Sequence, residues 1–210
     1  MIGVFIADDH PVVRQGIRQI VAATDDISVV DEATTGHETL QRLAEIQCDL
    51  VLLDLSLPDI DGLDLLKQLK REHPQRPILI LTMHSEDQFA LRALKAGASG
   101  YLTKESAPGE LVGAVRKVVA GGRYISQRLA ESLAAHLGPD EEKPAHERLS
   151  DREYQVLRLI AAGRSTRDIS TQLSLSSKTE STYRARLLDK MGMKTSAELT
   201  AYAVRHRLAD

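Results

Sequence analysis

The sequence predicts an α/β fold, a doubly wound parallel sheet of five strands, followed by a small all-α domain. Three observations lead there. Short apolar runs recur roughly every 25 residues, with stretches of helical period between them. A segment rich in breakers and charge, Gly138-Pro-Asp-Glu-Glu-Lys-Pro144, interrupts the chain, and three short capped helical stretches follow it. Charge divides at the same place: residues 1–147 hold 15 Lys/Arg against 23 Asp/Glu, residues 148–210 hold 12 against 7, and the two parts contribute −8 and +5 to the net −3.

The expected strands are Val4 to Ala7, Ile27 to Val30, Leu50 to Leu55, Ile78 to Thr82 and Gly100 to Leu102. Between them lie helical stripes: Val13, Ile17, Ile20 and Val21; Leu40, Leu43 and Ile46; Leu63, Leu66 and Leu69; Leu91 and Leu94; Leu111, Val115 and Val118. Strands flanked by helices throughout imply a parallel sheet covered on both faces, with its ligand site at the carboxyl ends of the strands. Gly121-Gly122 ends the fifth helix, and a short helical stretch is expected around Leu129 to Leu137. The division is therefore 1–122, a linking segment 123–147, and 148–210. In the last part Ser150 and Glu153 form a capping box with Leu149 placed for a staple. Gly163 stops that helix, Ser165 with Asp168 caps the next, and Ser176 caps a third that runs to Met191 before Gly192. Such an arrangement points to a helix-turn-helix. A fourth helix, Ala197 to His206, closes the chain.

With 42% hydrophobic and 27% charged residues the chain can bury a core, so disorder is excluded. No apolar run approaches the ~20 residues that cross a bilayer, and the N-terminus lacks the basic region of a signal peptide. Cys48 is the only cysteine, which rules out an internal disulfide and fits a reducing cytoplasm. The histidines lack ligand spacing, so zinc is not supported, and His10 is expected to sit in the first loop without chemistry of its own. The basic C-terminal part suits phosphate, since cations displace counterions from nucleic acid; an ordinary solvated face is the competing reading.

Asp8 and Asp9 end the first strand and Asp54 lies near the end of the third, so neighbouring strands gather three carboxylates. Their repulsion calls for a hard divalent cation, and Mg²⁺ suits few carboxylates plus waters and a phosphate oxygen. Lys104 and Thr82 reach the same rim, one able to neutralise phosphate and the other to donate to it.

Asp8-Asp9-His10, Asp54-Leu-Ser-Leu-Pro58-Asp-Ile-Asp-Gly62, Leu81-Thr82 and Ala98-Ser-Gly-Tyr101-Leu-Thr-Lys104 resemble the receiver domain of two-component response regulators, whose sheet is flavodoxin-like. The resemblance implies that Asp54 accepts a phosphoryl group from a sensor histidine kinase. It implies further that Asp9, Asp54 and the Ser56 backbone carbonyl hold Mg²⁺, with Asp8 acting through water. Lys104 would pair with the phosphoryl group, and Thr82 and Tyr101 would move together as a switch. Read alone, Asp9 is a helix cap and Tyr101 a core residue. Glu105 follows Lys104 where many receivers carry proline.

Leu149-Ser-Asp-Arg-Glu153, Val156-Leu-Arg-Leu-Ile160-Ala-Ala-Gly163, Ile169, Leu173-Ser-Leu-Ser176 and Lys178-Thr179 resemble the LuxR-type helix-turn-helix, which joined to a receiver makes the NarL/FixJ family. By that resemblance Lys178, Ser181, Thr182, Arg184, Ala185 and Arg186 lie on or near the DNA face, with Arg and Lys on phosphates and Ser181 and Thr182 near bases. Ala197, Leu199, Ala203 and Val204 form an apolar face on the last helix, read as a dimer contact or as packing. Glu180 breaks the pattern. It lies on the stripe of Tyr183, Leu187 and Met191, where the family carries valine, so its carboxylate should point inward, with Arg184 at i+4 as its partner. Glu180 is expected to weaken folding or DNA affinity.

The resulting expectation is a DNA-binding transcriptional regulator, not an enzyme, that acts as a homodimer when phosphorylated or DNA-bound. Its rivals are a Mg²⁺-dependent aspartyl-phosphate hydrolase and an interaction-only regulator whose DNA binding Glu180 has disabled.

Overall fold

The five strands and the helices between them follow in strict alternation: β1 (Ile2–Ala7), α1 (Pro11–Ala22), β2 (Ile27–Ala33), α2 (Gly36–Glu45), β3 (Leu50–Leu53), α3 (Gly62–Glu72), β4 (Ile78–Thr82), α4 (Glu86–Lys95), β5 (Gly100–Thr103) and α5 (Ala107–Val119). This is a computed structural model, and it describes residues 1–83, 86–127, 129–131, 144–173, 175–206 and 208. The chain divides into two compact units, Met1–Ala135 and His136–Asp210.

In the first unit all pairings are parallel and the strand order is β2-β1-β3-β4-β5, so the doubly wound fold is borne out. Side chains alternate across the sheet. Val4, Ile6, Leu50, Leu52, Leu79, Leu81 and Leu102 meet Ile17, Val21, Leu111, Ala114, Val115 and Val118 from α1 and α5. On the other face α2, α3 and α4 contribute Leu43, Leu65, Leu66, Leu69, Phe89 and Ala93, all buried. Each large aliphatic side chain buried in this way contributes ~1.5–3 kcal/mol, which explains why the central strands read as continuous apolar runs.

β2 runs three residues past its expected end at Val30. Asp31, Glu32 and Ala33 pair with Phe5, Ile6 and Ala7 after a register shift between Val4 and Phe5. Edge charges hid this extension in the sequence. Glu32 accepts from Arg14 Nε at 3.0 Å, and Asp31 from Arg42 Nη1 at 2.8 Å. Beyond α5, Tyr124 bridges Gly100 in parallel sense, its carbonyl accepting from Tyr101 N at 3.0 Å. Ser126 Oγ then accepts from Leu129 N at 3.0 Å, opening a helical turn; the remainder of the expected Leu129 to Leu137 helix lies outside the described residues, as do 138–143 of the breaker segment.

In the second unit the described residues form a 3₁₀ turn, Ala145–Arg148, followed by α6 (Asp151–Ala161), α7 (Thr166–Gln172), α8 (Ser177–Met191) and α9 (Ser196–Arg205). Both expected capping boxes are present, Ser150 with Glu153 and Ser165 with Asp168, and Thr195 with Glu198 makes a third. Gly192 ends α8 at φ 64°, a left-handed position that costs glycine little. Leu149, Tyr154, Leu157, Ile160, Ile169, Leu187, Leu199 and Ala203 are buried together. His146 of the 3₁₀ turn is buried too, its Nδ1 2.9 Å from the Tyr202 hydroxyl.

Glu153 ties two helices together. Its Oε2 accepts from Ser150 N at 2.8 Å and from Lys190 Nζ at 2.8 Å. Burial pushes this carboxyl's pKa up, but the hydrogen bonds from Lys190 and Ser150 outweigh burial and hold it below the ordinary 4.5. A depressed folded-state pKa contributes stability that is complete above the unfolded value and lost as pH falls through the folded one. Glu153→Gln is therefore expected to lower the opening free energy of α6 by about 1 kcal/mol at pH 7, given the half-exposed lysine. The difference should shrink as pH falls below 4.5 and through the carboxyl's lowered folded-state pKa. Amide hydrogen exchange across Asp151–Ala161 in the full chain checks both.

Candidate functional site

The sheet topology reverses between β1 and β3, and the register there pairs Ala7 with Leu53. The next residues, Asp8 and Asp54, therefore leave the sheet side by side. Asp54 N donates to Ala7 O at 2.8 Å, which locks that alignment, and Asp8 N donates to Ala33 O at 3.1 Å. Both carboxylates are buried, with side chains 2% and 1% exposed. Asp8 Oδ1 also accepts from His10 N at 2.8 Å, and Pro11 opens α1 directly afterwards.

Lys104 enters from the far edge. β4 and β5 pair Thr82 with Thr103, and Lys104 N donates to Thr82 O at 2.9 Å. The ammonium lies 2.7 Å from Asp54 Oδ2 and 2.8 Å from Asp8 Oδ2. Burial disfavours its charge, but hydrogen bonds and charge from Asp54 and Asp8 outweigh that penalty and raise its pKa above the ordinary lysine value. Asp54 Oδ1 accepts from Ser56 N at 3.1 Å. Thr82 and Tyr101 are both fully buried next to this rim. The structure thus gathers Asp8, Asp9, Asp54, Ser56, Thr82 and Lys104 at one end of the sheet, with Tyr101 at the β5 position paired to Ile80.

His10 belongs to this cluster, contrary to its expected role as a bystander. Its Nδ1 is 2.6 Å from Asp9 Oδ1 and 3.3 Å from Asp8 Oδ1. The signal was its adjacency to two carboxylates in a loop that must turn sharply into Pro11. One ligand atom from each of Asp8, Asp9, His10 and Asp54 falls within 4.8 Å of the others. Among the described residues, Asp8 Oδ2 and Asp9 Oδ1 are buried with one close partner each, the Lys104 ammonium at 2.8 Å and the His10 ring at 2.6 Å. A converging set of hard carboxylate oxygens short of partners is compatible with a divalent cation.

In the second unit α8 presents Lys178, Thr179, Ser181, Thr182, Ala185, Arg186 and Asp189 to solvent. Lys178, Thr179, Thr182, Tyr183 and Arg186 line a shallow depression on it. Arg184 departs from the expected DNA face. It turns back along the helix, donating from Nε and Nη2 to Glu180 Oε1 at 3.1 and 2.7 Å, from Nη1 to Ser196 Oγ at 2.8 Å and from Nη2 to Thr166 Oγ1 at 3.3 Å. Glu180 is fully buried, as the stripe it shares with Leu187 and Met191 requires. The apolar face expected on α9 also divides. Leu199 and Ala203 fill the core, while Val204 is 61% exposed and Ala197 and Ala201 stand outside with it.

A family model described as the response regulator receiver domain matches residues 4–116, and one described as bacterial regulatory proteins, luxR family, matches residues 147–203. The chain is 40% identical over 211 residues to response regulator GacA of Pseudomonas viridiflava, covering 100% of this chain and 99% of GacA. It is 38% identical to response regulator UvrY of Escherichia coli K12, covering 100% and 97%. Among solved structures it resembles RcsB of Salmonella enterica serovar Typhimurium bound to the rprA promoter with the phosphomimetic BeF3−, at TM-score 0.75 and 30% identity over 96% of this chain and 98% of that one. An RcsB–DNA complex gives TM-score 0.76 at 29% identity, covering 96% and 97%.

Proposed function

The chain belongs to the two-component response regulators that join a receiver to a LuxR-type DNA-binding domain, the NarL/FixJ family, and we propose that phosphorylation of Asp54 by a sensor histidine kinase governs its grip on double-stranded DNA. One observation carries this reading: a buried aspartate at the topological switch point, 2.7 Å from a buried ammonium and beside two further carboxylates. A basic helix-turn-helix on the same chain gives that chemistry an output.

A carboxylate oxygen of Asp54 attacks phosphorus as the kinase's histidine nitrogen leaves. Lys104, already between Asp8 and Asp54, pairs with the incoming charge; Thr82 donates its hydroxyl to it, and Tyr101 moves with Thr82 as the switch. Asp9, Asp54 and the Ser56 carbonyl would hold Mg²⁺, with Asp8 acting through water. Held by those residues, Mg²⁺ would supply charge neutralisation for phosphoryl transfer. On α8, Lys178 and Arg186 hold phosphates, Ser181 and Thr182 meet base edges, and Ala185 lets the helix approach closely. The exposed Ala197, Ala201 and Val204 stripe suits a second copy on a paired half-site. A solved structure described as two RcsB dimers bound to two parallel DNAs supports a dimer on DNA, though not the face that joins it.

Residues 1–122 form the receiver in this reading and 148–210 the DNA-binding domain. The segment 123–147 links them, supplying a bridge to β5 at one end and the His146 turn at the other. None of the described helices is long and apolar enough to cross a membrane, and we place the protein in the cytoplasm as a regulator without turnover of outside substrates. Titration of selected duplex DNA across salt tests the output. Log affinity should fall linearly with log salt, by about 0.9 per phosphate contact. Treatment with a small acyl phosphate should raise affinity at least tenfold, about 1.4 kcal/mol. Affinity indifferent to salt, or to the phosphodonor, would overturn the reading.

A further inference from the structure

Arg184 sits on the recognition helix yet is spent on the protein. All three guanidinium nitrogens donate to the protein: Nε and Nη2 to Glu180 Oε1, Nη1 to Ser196 Oγ at the start of α9, and Nη2 also to Thr166 Oγ1 at the start of α7. Glu180 is fully buried, and its second oxygen, Oε2, has no hydrogen-bond partner among the described residues. An isolated buried carboxylate is costly, so the guanidinium cannot leave without exposing that penalty. The Arg184 side chain is itself only 24% exposed. A valine at 180 would make no such demand, and Arg184 would be free to swing toward solvent.

Resting on the DNA-binding reading above, we propose that Glu180 is a positioning residue that withdraws Arg184 from the nucleic-acid surface. The recognition helix then meets a duplex with one fewer phosphate-facing cation than its sequence carries. Phosphate contacts are blind to sequence, so subtracting one weakens non-specific binding more than it weakens base reading by Ser181 and Thr182. Glu180 thereby shifts the balance from grip toward discrimination.

The salt slope of DNA binding separates this role from a merely structural one. With the full chain, Glu180→Val is expected to steepen the slope by about 0.9, one added phosphate contact, and to raise affinity for random duplex about threefold or more at low salt. The paired replacement of Glu180→Val with Arg184→Met keeps the net charge and leaves no buried ion alone. Its slope should equal that of the native chain. Should Glu180→Val fail to unfold cooperatively, the paired variant decides by itself. A native slope in a folded Glu180→Val protein, or a slope shallower by about 0.9 in the paired variant, overturns the proposal, the latter because Arg184 would then have been touching phosphate all along. A native chain whose duplex binding ignores salt would instead overturn the DNA-binding reading.

Discussion

Asp54→Asn is expected to abolish phosphoryl uptake completely while leaving the receiver folded. Transfer needs an ionised oxygen as nucleophile, and an amide offers none at any accessible pH. The fold should tolerate the change because the contacts around Asp54 are redundant. The amide oxygen can still accept from Ser56 N, and Lys104 keeps Asp8 at 2.8 Å. Removing one of three clustered carboxylates also relieves repulsion, which offsets part of the lost pairing with Lys104. Intact-mass measurement after incubation with a small acyl phosphate should show the phosphoryl adduct on the native chain and none on the variant, with thermal midpoints a few degrees apart at most. An adduct persisting on the variant would place the acceptor elsewhere. A duplex affinity that still rises on phosphodonor treatment would disconnect Asp54 from the output.

The carboxylate rim was legible because strand ends declare themselves. An apolar run followed at once by Asp8-Asp9 or by Asp54 leaves one register in which both emerge together, and the pairing of Ala7 with Leu53 realises it. Lys104 followed for the same reason. His10 was missed because its partners are one and two residues away, and loop curvature rather than periodicity brings its ring onto Asp9. The tail of β2 was missed because Asp31 and Glu32 interrupt the apolar run after Val30, and their counter-charges, Arg14 and Arg42, come from α1 and α2. Helical period exposed the inward turn of Glu180 and proposed Arg184 as its partner. It could not show that this pairing removes Arg184 from the DNA face, since Ser196 and Thr166 arrive from other helices. On α9 the period held but its phase did not: packing drew Leu199 and Ala203 inward and left Val204 outside.

The last residue of the Asp54 to Gly62 segment sets up a second large effect. Gly62 opens α3, and a methyl group there would lie 2.4 Å from Leu55 Cα, 2.5 Å from Leu55 O and 2.8 Å from Leu55 C. These are backbone atoms, unable to rotate away as a flexible side chain would. Leu55 directly follows Asp54, so relieving the clash means moving the strand end that carries the nucleophile. Gly62→Ala is expected to destabilise the receiver by about 2–3 kcal/mol, the usual cost of forcing volume into a packed site. It should also slow phosphoryl uptake by roughly 10²-fold, because displacement of about 1 Å at a reacting group has that effect. The helix gains little in return: Asp61 already caps α3 by accepting from Leu63 N and Asp64 N, and alanine's better propensity is worth only about 1 kcal/mol. Urea unfolding of the full chain together with initial rates of adduct formation measures both effects. If stability were unchanged and uptake still fell, the methyl group would be acting on the Asp54 loop alone; if neither moved, the tight approach of α3 to Leu55 would have no bearing on the site.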